Sequence, residues 1–278
     1  MLLTVQGHAT YAYTGGKTFD PARPTVVFIH GVLNDHSVWI LQSRWFAHHG
    51  WNVLAIDLPG HCRSAGAPPA SVEDASRFVA DLLDAAGIER AALVGHSFGS
   101  LIALETAARA PQRVTHLAMV GTAYPMAVSP ALLASSRDAP LRAIDQINVF
   151  SHSSLAPPPS SLGPGTWLYG GSRALMRRVL ASNRETNVFH TGFKACDDYT
   201  GGEAAIDAVA ASGCPLLFLL GAADQMTPPR AARALAARAP QARVVTVEAG
   251  HALMSEAPDA VLFALRDFVT SVKSSTPA

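Results

Sequence analysis

The chain has 278 residues, enough for one large α/β domain carrying an insertion, with a core that needs no disulfide support. Lys and Arg number 21 against 21 Asp and Glu, a formal net charge of +0, so no global field draws the chain to nucleic acid or an anionic membrane, and a small-molecule partner is favoured. The cysteines, Cys62, Cys196 and Cys214, form no spaced framework, and no apolar run approaches the roughly 18 to 20 residues that span a bilayer, which excludes a disulfide scaffold and an integral membrane protein and favours a reducing, cytoplasmic setting.

Met1 to Gln6 has neither a basic segment nor a long apolar one, so no signal peptide is expected. Segments around Leu3 to Gln6 and Ala9 to Tyr13 read as strands able to pair antiparallel. Thr25 to Ile29 is the first core strand, followed at once by His30-Gly31-Val32-Leu33. A helix ending at His48-His49 before Gly50 carries cations at its negative end, which accounts for that pair without a metal. The strand Asn52 to Ile56 leads into Asp57-Leu58-Pro59-Gly60-His61-Cys62-Arg63-Ser64. Ser71 with Asp74 resembles a capping box, Ala75, Phe78, Val79, Leu82, Leu83 and Ala86 form a stripe at helical spacing, and Gly87 supplies the stop. Ala91 to Val94 runs into Gly95-His96-Ser97-Phe98-Gly99 and a helix-like stretch from Leu101 to Ala110. Thr115 to Val120, Pro215 to Leu220 and Arg243 to Val247 complete the strands; Thr227 is expected to cap a helix that has Pro228 in its first turn and ends before Pro240.

This alternation predicts an α/β fold, a mostly parallel twisted sheet flanked by helices. The stretch from Val120 to Pro215 is too long for an ordinary connection and predicts an inserted, mainly helical cap, giving core residues 1–122, cap residues 123–212 and core residues 213–278. Within the cap, Ala156 to Gly165 reads as irregular loop and Ser172 to Ser182 as a helix. Its stripe is Leu175, Met176, Val179 and Leu180, while Arg173, Arg177 and Arg178 are expected on a solvated face.

Ser97 occupies the strand, sharp turn and helix context that a nucleophile elbow needs, with Gly95 and Gly99 permitting the tight turn and close helix approach. A serine hydroxyl is a poor nucleophile at neutral pH, so a neutral imidazole has to take its proton and an acid has to orient that imidazole. Asp224 and His251 both follow strands and fall in loops at their carboxyl ends, where open α/β sheets keep ligands. The amides of Val32 and Phe98 can stabilise an oxyanion together, each donor contributing about 3 kcal/mol. Asp57 is the rival acid. His30 and His61 read as hydrogen-bonding residues of their loops, and the His96 ring is expected to diverge from the serine hydroxyl. HExxH and CxxC are both absent, so no zinc site is expected.

The HG turn, the Asp57 to Ser64 loop, the GHSFG elbow and the order Ser, Asp, His together resemble the α/β-hydrolase superfamily, in particular its cap-bearing esterase and lactonase-like branch, from about Val26 to Val269. The resemblance implies the fold, the triad Ser97, Asp224 and His251, a loop-shaping role for Asp57, no cofactor, and a cap that shapes an acyl or alcohol pocket. Cys62 stands where many relatives have glycine, which puts the local loop conformation in question. The DLPGHxRS loop is also similar to that of methyl-ester esterases of biotin synthesis, and the cap arginines leave room for an anionic substrate or a carrier-protein partner. The implied reaction is hydrolysis of a small to medium ester, thioester or lactone through an acyl-enzyme. The same triad serves C–C bond hydrolases, perhydrolases and hydroxynitrile lyases, and a receptor can keep the fold for binding alone; oligomeric state stays open. Trp39, Met126, Trp167 and Tyr169 are expected to line the pocket, with Leu168 and Phe189 as further candidates.

Overall fold

The computed structural model describes residues 1–153 and 167–271, so the loop expected at Ala156 to Gly165 lies outside the described residues. The strands are β1 (Leu2–Val5), β2 (His8–Tyr13), β3 (Thr25–Ile29), β4 (Asn52–Ile56), β5 (Ala91–His96), β6 (Val114–Val120), β7 (Leu216–Gly221) and β8 (Arg243–Val247). They form one eight-stranded sheet in the order β1-β2-β4-β3-β5-β6-β7-β8. β1 pairs antiparallel with β2, and β2 with β4; every other pairing is parallel.

Helices cover both faces: α1 (Ile40–His48), α2 (Val72–Ala85), α3 (Phe98–Arg109), α4 (Pro130–Asp138), α5 (Pro140–Ser151), α6 (Leu168–Ser182), α7 (Val188–Asp198), α8 (Gly202–Ser212), α9 (Arg233–Arg238), α10 (Leu253–Glu256) and α11 (Pro258–Ser271). Successive strand residues point to opposite faces. In β3, Val27 and Ile29 join residues of α2, α3, α8 and α9, while Val26 and Phe28 join those of α1, α10 and α11. Burial on both sides is why the central parallel strands read as unbroken apolar runs. The expected capping serine is in place: Ser71 Oγ accepts from Asp74 N at 3.1 Å, and Gly87 takes the left-handed φ of +64° just past the end of α2.

Between β6 and β7 the chain passes through α4 to α8, an inserted helical region. Ile144, Ile147, Met176, Val179 and Phe189 give it a core of its own, into which the loop residue Leu33 also inserts. Polar contacts fasten this region to the sheet. Tyr199 Oη donates to the buried Glu105 of α3 at 2.6 Å, and Asn183 Nδ2 to the carbonyl of Gly60 at 3.1 Å. The cap arginines keep the expected solvated face, Arg177 and Arg178 being exposed, but two of them also find carboxylates: Arg178 reaches the buried Asp35, whose burial requires a partner, at 2.7 Å, and Arg173 pairs at the surface with Asp145. Cys62 takes φ +44°, the glycine-like backbone that its position in the loop demands, and its amide donates to Ser182 Oγ at 3.0 Å. Cys62, Cys196 and Cys214 are all free thiols.

Phe189 is fully buried with its ring 4.8 Å from that of Phe193. Truncating it to alanine leaves a cavity as well as losing transfer energy, so Phe189→Ala is expected to cost about 3–5 kcal/mol, read from the midpoint and slope of urea unfolding.

Candidate active site

β5 extends through Gly95 and His96, and Ser97 then turns the chain into α3 with φ 53° and ψ −120°. A non-glycine residue in such a conformation stores about 1–3 kcal/mol of strain. The turn is over-determined by its surroundings: Ser97 N donates to Val120 O at 2.9 Å and Ser100 N to Ser97 O at 2.8 Å. Both flanking glycines are sterically required. A Cβ on Gly95 would stand 2.0 Å from the carbonyl oxygen of Gly99, and one on Gly99 would stand 2.4 Å from that of Ile29. The result lifts Ser97 to the N-terminus of α3, where first-turn amides lack intrahelical partners.

His251 follows β8, and its Nδ1 lies 2.8 Å from Asp224 Oδ2 in the loop after β7. Asp224 is almost wholly buried. Its Oδ1 accepts from the amides of Met226 and Thr227, both at 2.8 Å, and its Oδ2 from Thr227 Oγ1 at 2.7 Å. Burial pushes the Asp224 carboxyl upward, but the adjacent His251 charge and bond together with the Thr227 donors outweigh it and hold the group at about 2. Thr227 is thus not the expected helix cap. Its hydroxyl turns inward, 3.0 Å from His251 Nδ1, and the helical turn that follows starts from Pro228 without a side-chain cap.

The His251 loop is fastened from two further directions. Glu256 accepts from Gly250 N at 3.1 Å and from Ser153 N at 2.9 Å, and Ala252 N donates to Ser151 O at 3.0 Å, tying the loop to the end of α5. His96 Nε2 lies 2.9 Å from the carbonyl oxygen of His251, with the two rings 4.7 Å apart. His96 therefore diverges from Ser97 toward the His251 loop. Nothing local in the sequence marks His96 for this task or Glu256 for its bond to Ser153, since those partners are 155 and 103 residues away.

Ser97 and His251 share the wall of a cavity of about 250 Å³ that also includes Val32, Met126, Val128, Leu132 and Phe193. Gly31 lets the His30–Leu33 turn approach, for a Cβ there would lie 3.1 Å from Ser97 Cβ, and so brings Val32 alongside the turn that starts α3 at Phe98. Met126 is at the expected wall. Trp167 instead lines a neighbouring cavity that also includes His251. Trp39 and Tyr169 line neither cavity. Trp39 is fully buried against Phe28, ring centroids 5.1 Å apart, because an indole just after the turn packs better into the sheet face than toward the polar site. Tyr169 stacks on Trp167 at 5.8 Å and donates to Asp145 O at 3.2 Å, and Phe189 belongs to the cap core.

Asp35, His36 and Asp57 place ligand-type atoms within 4.8 Å of one another, the geometry a cation could use. Their oxygens already have donors. Asp57 Oδ1 takes His36 Nδ1 at 2.7 Å and its Oδ2 takes Arg63 N at 3.2 Å, while Asp35 Oδ1 takes Ser37 N at 2.8 Å and its Oδ2 Arg178. The cluster shapes its loops, and Asp57 does not bond to His251. His30 and His61 likewise bond within loops, to Gly31 O at 2.8 Å and Pro59 O at 3.0 Å.

The profile of a family described as alpha/beta hydrolase fold matches residues 24–258. A dihydrolipoyllysine-residue acetyltransferase component of the acetoin cleaving system of Cupriavidus necator is 40% identical over 114 residues; the match covers 40% of this chain and 28% of that protein, so the chain spans under a third of that relative. A pimeloyl-(acyl-carrier protein) methyl ester esterase of Neisseria meningitidis serogroup C is 28% identical over 92% of this chain and 97% of its own length. Among solved structures, the enol-lactonase from Burkholderia xenovorans LB400 has a TM-score of 0.82 at 20% identity, covering 97% of this chain and 100% of that one, a likeness in fold alone.

Removing a donor from the Asp224 carboxylate raises its pKa. Its depressed folded value contributes stability that is present above the unfolded pKa near 4 and lost as pH falls toward 2. Thr227→Val is therefore expected to cost about 1–2 kcal/mol at pH 7, with the deficit shrinking as pH falls from about 4 toward 2, as measured by denaturant unfolding at each pH.

Proposed function

Because the chain belongs to the α/β-hydrolase fold family, we propose that it cleaves carboxylic esters through Ser97, His251 and Asp224. The observation that carries this reading is that an imidazole bonded to a buried carboxylate shares one cavity wall with a serine held at a strained turn. With His251 Nδ1 committed to Asp224, Nε2 is the nitrogen left to take the Ser97 proton. Ser97 Oγ attacks the carbonyl carbon, and the amides of Val32 and Phe98 stabilise the oxyanion that forms. The tetrahedral intermediate collapses as His251 returns the proton to the departing alcohol. Water then repeats the sequence on the acyl-enzyme, and Asp224 stabilises the transient imidazolium at each stage. All of these groups belong to the chain itself.

The apolar cavity walls around Ser97 suit a small to medium acyl group. The neisserial relative is named a methyl ester esterase and the Burkholderia structure an enol-lactonase, and both names support an ester-type bond as the target. Ser97→Ala is expected to abolish labelling by a fluorophosphonate probe and to lower kcat on p-nitrophenyl and lactone substrates by about 10⁶-fold, and Asp224→Ala by about 10⁴-fold, with circular dichroism unchanged. Undiminished turnover by Ser97→Ala would sink the assignment.

A further inference from the structure

The turn that carries the Val32 amide is gripped from two sides. Its first half answers to the sheet: His30 Nε2 accepts from Leu58 N at 3.1 Å, leaving Nδ1 to donate to the carbonyl of Gly31 at 2.8 Å. That carbonyl and the Val32 amide belong to one planar peptide, so whatever fixes the oxygen also fixes the direction of the N–H. Gly31 O accepts from Asn34 N as well, at 3.3 Å, which closes the turn and ties the same peptide to its second half.

The second half answers to the inserted helices. Leu33 has φ 57°, a backbone that glycine adopts freely and leucine does not, yet its side chain is fully buried. Among the described residues every other buried member of its apolar cluster lies on α5, α6 or α7. Two residues on, Asp35 Oδ2 accepts from Arg178 of α6 at 2.7 Å and Oδ1 from Ser37 N at 2.8 Å. Val32 itself backs onto α7, where a Cβ on Gly192 would stand 3.1 Å from both of its γ carbons. A turn that merely joined β3 to the next helix would be served better by glycine at 33 and by no buried carboxylate at 35.

We propose, resting on the ester-cleaving reading above, that Leu33 and Arg178 are positioning residues through which the inserted helices hold the Val32 amide within reach of the forming oxyanion. The helical region then does more than surround a substrate: it completes the oxyanion site from the side opposite the sheet. As Ser97 Oγ bonds to the carbonyl carbon, the C=O π pair moves onto oxygen and the serine proton passes to His251 Nε2. A donor is worth most at that moment and only at the right distance, so slackening the grip on the turn raises the transition state more than it weakens the bound ester.

The test uses the full chain with p-nitrophenyl butyrate and two ligands of matched shape. Hexyl trifluoromethyl ketone adds to a serine hydroxyl and then carries an oxyanion; the secondary alcohol made by reducing it fills the same space and forms no adduct. Leu33→Gly suits the backbone and deletes only the side chain, and Arg178→Met removes the guanidinium. Each is expected to lower kcat and kcat/KM equally, by about tenfold, and to weaken the ketone by the same factor, because a displaced donor loses part of what a deleted one does. KM and the inhibition constant of the alcohol are expected to stay within about twofold. Leu33→Met and Arg178→Lys, which keep volume and charge, are expected to bring kcat back to within about threefold of the unsubstituted protein. Arg178 is mostly exposed and its loss leaves Asp35 the Ser37 donor, so Arg178→Met carries the test where Leu33→Gly does not fold. Folded variants whose kcat and ketone affinity are unchanged, or whose KM and alcohol affinity worsen as much as kcat falls, overturn the positioning role. An unsubstituted protein that neither turns over the ester nor binds the ketone more tightly than the alcohol overturns the ester-cleaving reading instead, so the two failures are distinct.

Discussion

Backbone meeting backbone is the constraint on which the site depends. Where β3, β5 and α3 converge, carbonyl oxygens of Ile29 and Gly99 occupy the space that side chains at 99 and 95 would need. That closeness, together with the backbone bonds of Ser97 to Val120 and of Ser100 to Ser97, holds Ser97 at φ 53° at the start of α3. The parallel pairing of β3 with β5, running from Thr25 opposite Ala91 to Ile29 opposite Gly95, sets the height at which the His30–Leu33 turn passes Ser97. Local strain at one residue is thus maintained by the packing of a whole sheet face.

The second half of the site is electrostatic rather than steric. Asp224 is removed from water, which alone would favour its neutral form, and is kept ionised by the amides and hydroxyl gathered in its own loop and by the imidazole it faces. His251 is in turn held by groups from distant parts of the chain: Glu256 and the end of α5 on one side, His96 on the other. Because Ser151 ends α5 within the inserted helical region and it and Ser153 bond this loop, the position of that helix and the placement of the imidazole are mechanically linked.

Much of this was legible in sequence, for identifiable physical reasons. β3 and β4 run from Thr25 and Asn52 as their apolar patterns predict, because strands buried between two helical layers have little freedom to slip, and the edge strand β8 runs from Arg243 as expected although most of it is exposed. Asp224 and His251, legible from loop position and chain order, are bonded to each other, and Ser97, legible from the GHSFG turn, shares a cavity wall with His251. Thr227 misled because a threonine before proline satisfies two requirements equally well on paper, a helix cap and an inward donor, and the position of Asp224 decides between them. Trp39 misled for a similar reason, since an aromatic residue after the turn suits either a cavity wall or the sheet face beneath it. Glu256 carried no local signal, its partner Ser153 being 103 residues away. In the inserted region α6 was anticipated from its stripe but begins earlier, at Leu168, and α7 starts from an Asn187 cap that went unread.

The three thiols share a trait with a chemical consequence. Burial and the Asp35 carboxylate push Cys62 up to about 12, burial pushes Cys214 up to about 11, and Cys196 is driven upward by burial as well. Peroxides and alkylating agents act on the thiolate, and at neutral pH these side chains supply almost none. The three cysteines are therefore disfavoured as thiolate nucleophiles, and an oxidising environment has no easy first step toward sulfenic acid at any of the three positions.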